Sequence, residues 1–124
     1  SGEREQLIVA TAMRDGKKVM CGLEQEPGSG GKESAQNSVR RIISALKGKV
    51  KVRVLPAIGT KEDRADTWSV LVNQESCRMV RANWNAALID EMTYFPFSTY
   101  KDQIDASSCA CQLVLNPGRI IQAF

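Results

Sequence analysis

The chain contains no histidine, and that absence removes several chemistries at once. Ser-His-Asp and Cys-His nucleophiles need an imidazole to take the proton, and a zinc site of mixed ligands needs one as a donor. The four cysteines, Cys21, Cys77, Cys109 and Cys111, are scattered apart from one C-x-C pair, a pattern that reads as buried free thiols. No run of about 18 apolar residues is present to cross a bilayer. Glu3, Arg4 and Glu5 precede the first short apolar stretch, which is not the plan of a signal peptide. A soluble, intracellular protein without a membrane partner is the expectation. Any chemistry must then run on carboxylates, lysines or a metal.

At 124 residues and 43% hydrophobic content, the chain supports one core and is short for two, so a single domain over residues 1–124 is expected. Net charge is only +3, but it is unevenly spread. No acid occurs between Glu33 and Glu62, whereas Arg40, Arg41, Lys47, Lys49, Lys51, Arg53 and Lys61 all fall there. Such a segment carries a field suited to phosphates, and it equally suits the solvated face of a helix and a strand.

Hydrophobic spacing gives alternating elements. Leu7, Ile8, Ala10 and Met13 predict a helix over residues 3–14, closed by Asp15-Gly16, and residues 19–24 predict a short strand. A glycine-rich loop follows at 27–31. Ala35, Val39, Ile42, Ile43 and Leu46 then share one helical face ended by Gly48. Residues 49–55 alternate strictly, with Val50, Val52 and Val54 opposite Lys49, Lys51 and Arg53, which predicts a half-buried strand with a basic outer face. Thr60 caps a helix that turns Ala65, Trp68, Leu71 and Val72 inward. A short strand is expected at 77–80, then a helix capped by Asn83 and carrying Trp84, Leu88 and Met92. Pro96 ends it, and Ser98 or Thr99 opens a last helix to Leu115, whose small residues suggest packing against a sheet. The order of elements implies an α/β architecture.

Three stretches could carry chemistry. The run Gly28-Ser29-Gly30-Gly31-Lys32 invites a phosphate-loop reading but fails the pattern, because Glu26 stands where the first glycine belongs and Glu33 where Ser or Thr belongs. Glu24 ends a predicted strand, at the edge where α/β sheets open their ligand crevice, and Glu26 is close by. Asp102 and Asp105 share a helical face; Thr99-x-x-Asp102 also has the spacing of a reciprocal cap.

Taken together, Leu23-Glu24-Gln25-Glu26-Pro27-Gly28-Ser29-Gly30-Gly31-Lys32, then Thr60-Lys61-Glu62-Asp63-Arg64-Ala65, Trp84-Asn85, Glu91-Met92-Thr93-Tyr94-Phe95-Pro96 and Tyr100-Lys101-Asp102-Gln103-Ile104-Asp105-Ala106 come in an order and spacing that resembles the nuclease domains of phage large terminase subunits, over roughly residues 3–113. The resemblance implies an RNase H-like mixed sheet with flanking helices and a metal-dependent endonuclease that cuts double-stranded DNA during packaging, in the cytoplasm of a bacterial host. It implies Mg2+ or Mn2+ held by Glu24 and Asp102 with Asp105 assisting, since two ions about 4 Å apart activate water and stabilise the leaving oxygen without histidine. Lys32, Lys49, Lys51, Arg53, Lys61, Arg64 and Lys101 are the candidates for DNA phosphates. For Lys61 and Arg64 the alternative is a salt bridge to Glu62, Asp66 or Glu91. The implied partners in the full protein are an ATPase domain, a small terminase subunit and a portal.

Two departures from the family pattern stand out. Lys101-Asp102 replaces the Asp-Asp of many relatives, and the family's opening strand, with its first catalytic aspartate, would precede Ser1. The expectations are therefore a missing first strand, weak or absent cleavage, and an exposed sheet edge that could pair two copies into a dimer. The alternative functions are a phage-derived remnant that binds DNA or a partner protein without cutting, and an unrelated α/β binding domain.

Overall fold

The computed structural model describes residues 2–25, 31–56, 59–115 and 121–122. The chain forms two compact units, one of residues Ser1–Ala57 with Gly118–Phe124 and the other of residues Ile58–Pro117.

In unit 1, helix α1 (Gly2–Asp15) leads to strand β1 (Cys21–Gln25), helix α2 (Gly31–Leu46) and strand β2 (Val52–Pro56), and the two-residue strand β3 (Ile121–Gln122) completes the sheet. β1 and β2 run parallel from Cys21↔Val52 to Gln25↔Pro56, and β3 pairs antiparallel with β2 in the order β1-β2-β3. The core is Ala12, Ile42, Leu46, Val50 and Val52, with Ile8, Val9, Leu23 and Ile43 packed around it. Leu46 is 1% exposed, so truncating it to alanine would cost about 2–5 kcal/mol. α1 docks on α2 through an ion pair at the margin of this core. Arg41 Nη2 donates to Glu5 Oε1 at 2.6 Å and Arg41 Nε to Glu5 Oε2 at 2.9 Å, a bidentate fork that fixes orientation as well as charge. It holds the Glu5 carboxyl down at about 2, helped by a hydrogen bond from Ser38 and opposed by burial.

Unit 2 is helical among the described residues: α3 (Lys61–Asn73), α4 (Asn85–Tyr94) and α5 (Asp102–Leu115). α5 packs against both α3 and α4. Ala65, Leu88 and Ile104 are buried at the centre. Ser108, at 1% exposure, donates its hydroxyl to Ile104 O at 2.8 Å, which satisfies a polar group that would otherwise be costly to bury.

The expected RNase H-like mixed sheet is not formed. The described residues are mostly helix, and only β1 and β2 pair along a useful length. Residues 77–80, expected as a strand, are an exposed non-strand segment, because no strand among the described residues offers them a ladder. The small residues of α5 let helices, not a sheet, approach. The strand expected from Lys49 begins only at Val52; Lys47 and Gly48 take φ of 52° and 73°, and Lys49 N is spent on Leu46 O, so the chain is still turning there. Val50 and Val52 are buried as the alternation required. The cysteines are free, but Cys77 is exposed and Cys21, Cys109 and Cys111 are half-buried rather than buried. No helix among the described residues is long and apolar enough to cross a membrane.

Candidate functional site

The best-built polar cluster lies where α5 begins, and it is built from three of the motif runs. Thr60 caps α3 reciprocally: its hydroxyl accepts from Asp63 N at 3.1 Å and its own N–H donates to Asp63 Oδ2 at 3.3 Å. That cap fixes the first turn of α3, from which Lys61 and Arg64 project on one face. Arg64 Nη2 reaches Asp105 Oδ1 at 3.2 Å while its Nη1 donates to Gly59 O at 2.9 Å. Lys61 Nζ stands 3.8 Å from the other oxygen of Asp105. The Arg64 and Asp105 side chains are each only 16% exposed, against 42% for Lys61, so the arginine is the stronger partner.

The N-terminus of α5 is capped from another helix. Asp105 N donates to Lys101 O at 3.0 Å, which places Lys101 at the N-cap position with no side-chain acceptor to offer. Glu91, on α4, takes over the role. Its Oε1 accepts from Gln103 N at 3.1 Å and Ile104 N at 3.4 Å, and its Oε2 from Gln103 Nε2 at 2.6 Å. A carboxylate at 5% exposure is expensive to bury unless it is multiply bonded, and two otherwise orphaned amides with the positive end of the helix provide that compensation. The sequence reading put the cap at Ser98 or Thr99; the helix starts later, and the Thr99-x-x-Asp102 pairing is not made.

Asp102 is in the first turn of α5 and exposed. Asp105, expected to be a metal ligand, is the acceptor of Arg64 and Lys61. Lys61, Arg64, Lys101, Asp102 and Asp105 all belong to unit 2, whereas Glu24, Lys49, Lys51 and Arg53 belong to unit 1. Glu24 is half-buried near the C-terminal end of β1, opposite Leu55. The Lys32 side chain, Glu26 and most of the glycine-rich loop lie outside the described residues. Among the described residues no three Asp, Glu or Cys side chains gather as a metal ion would require.

Sequence reasoning missed Glu91 as the cap of α5 and Arg64 as the partner of Asp105. Both links run between helices, and nothing in local spacing signals them. Asn83, expected to cap α4, does not: Trp84 occupies that position without a side-chain bond, and Asn85 instead bridges Ala82 N and Val80 O at 3.0 Å each. No family model, no curated protein and no solved structure matches the chain.

Proposed function

We propose that this chain is part of the nuclease region of a large terminase subunit, acting on double-stranded DNA, with Glu24 and Asp102 as the acids offered to divalent ions. One observation carries the reading. The motif runs at residues 60–65, 91–96 and 100–106, which resemble the family in order and spacing, also meet in space at the start of α5. Arg64 and Glu91 organise that helix start, Asp105 is its internal acceptor, and Asp102 is the carboxylate left facing solvent. Association with an ATPase domain, a small terminase subunit and a portal follows from the same reading.

Magnesium or manganese would supply an activated water and charge stabilisation at the leaving oxygen. The acids at the start of α5 do not by themselves fit two such ions: Asp105 is shared by two cations, Glu91 is committed to α5, and Lys101 adjoins Asp102. Hard cations need more oxygen ligands than one free carboxylate provides, so no metal step is assigned to this cluster. The engagement of Asp105 favours a second reading, a chain that binds DNA or a partner protein without cutting.

Plasmid nicking in manganese, with calorimetric manganese titration, separates the two. Under the first reading Glu24→Gln and Asp102→Asn each lower cleavage and manganese affinity by roughly tenfold or more. DNA binding with no manganese-dependent nicking would install the second reading instead.

A further inference from the structure

We propose that unit 1 carries a cleft of its own for the phosphate backbone of duplex DNA, built from the α1–β1 and α2–β2 turns and separate from Glu24. It rests on the terminase reading only for the choice of a duplex over other polyanions.

Because β1 and β2 are parallel, both turns enter the sheet at the same end, and Cys21 N donates to Lys51 O at 2.9 Å to tie them together. Between them is an open cleft of about 540 Å³ lined by Lys17, Lys49, Lys51, Gly16 and Gly48 together with the apolar Met13 and Val50, with no acid in its wall. Lys18 and Lys47 adjoin it in the chain, and all five lysines are exposed.

Lysines after helix C-termini have an ordinary explanation, since a helix end carries about half a negative charge. Here the count decides. Two helix ends amount to about one charge, and Gly16 N, Lys47 N and Lys49 N already bond Ala12 O, Ser44 O and Leu46 O. Asp15 is the acid next to the turn. Five lysines exceed that demand and leave a positive surplus on a concave surface, where it attracts a polyanion most strongly. Two of the lining positions carry no side chain: Gly16 and Gly48 have φ of 87° and 73°, and a Cβ on either would meet nothing within 4 Å, so a phosphate can approach the main chain there. Lys47 holds a left-handed φ of 52°, a conformation that Gly or Asn adopts at lower cost, which is strain spent on keeping a cation in the turn.

Glu24 is three residues along β1 from Cys21, roughly 10 Å towards the opposite end of the sheet. The lysines therefore serve to hold DNA and not to organise chemistry at Glu24.

The test is binding of the full chain to a duplex of about 30 base pairs in EDTA, titrated with salt from about 50 to 200 mM. Without divalent ions, failure of the nuclease reading leaves the measurement unaffected. Replacing Lys17, Lys18, Lys47, Lys49 and Lys51 together by serine should weaken binding at least tenfold and reduce the slope of log K against log salt by about 2–4. Lys47→Asn, which relieves strain and so keeps the fold, should lower the slope by about 1. Absence of duplex binding by the parent, an unchanged slope, or an equal loss per charge from Arg78→Ser with Arg81→Ser would overturn the proposal. Competition by polyglutamate as effective as by duplex at equal charge would assign the cleft to an acidic protein and overturn it too.

Discussion

Arg64 and Asp105 are 41 residues apart in sequence and 3.2 Å apart in space, and this contact binds the first turn of α3 to the first turn of α5. The guanidinium also holds Gly59 O, so one side chain links the α3 entry loop to α5. Arg64→Ala should cost about 1–2 kcal/mol in urea unfolding, since a partly buried pair lies between the exposed and fully buried cases. The double variant with Asp105→Asn should lose less than the sum, with a coupling of about 1 kcal/mol. Strict additivity would mean that the contact is not formed in solution.

The Glu91 cap predicts a larger effect. Glu91→Ala strands the amides of Gln103 and Ile104 in a buried position and should cost about 2–3 kcal/mol. Glu91→Gln keeps an acceptor oxygen but loses the charge facing the helix dipole, and should cost about half as much. Hydrogen exchange at those two amides gives a local readout: both should exchange markedly faster in Glu91→Ala, and unchanged protection would refute the capping role.

Glu5 gives unit 1 an acid dependence of known sign. Its carboxyl is depressed from 4.5 to about 2 by the Arg41 fork, so the folded form binds its proton less readily than the unfolded chain. The contribution is fully present above about pH 4.5 and is lost as pH falls through about 2. Denaturant midpoints between pH 6 and pH 2 should fall more steeply for the parent than for Glu5→Gln. Parallel profiles would show that the pair is not maintained.

Helices in this chain are legible where local rules decide them. The spacing of Val39, Ile42 and Leu46 and the position of Thr60 locate α2 and the start of α3, because side-chain periodicity and a cap act within a few residues. Strands are legible only when a partner exists. Val52 to Pro56 has β1 beside it, residues 77–80 have no strand beside them among the described residues, and a sequence pattern is the same in both cases. The terminase resemblance led to an RNase H-like sheet, yet in unit 2 the motif residues are displayed by a helical cluster. At the site, the acids were identifiable as acids, but their engagement was not. Asp105 and Asp102 occupy similar places in the pattern, and a distant Arg64 makes one an internal acceptor while the other faces water. Glu91 was read as one residue of a motif, and its role as a cap depends on α4 lying against α5.

The pairing of Val54 with Ile121 gives the two units a thermodynamic link that needs no contact between them. β2 and β3 are antiparallel neighbours, so topologically they form a hairpin, and the whole of residues Ile58–Pro117 occupies the position of its connecting loop. When unit 2 is folded, much of that connection is held in helices α3, α4 and α5. When it melts, the same roughly sixty residues become a flexible loop, and closing such a loop costs about 2 kcal/mol more than closing a short turn. A two-residue strand has little to set against that penalty. Heating should therefore release β3 when unit 2 unfolds, leaving β1 and β2 paired until their own core gives way.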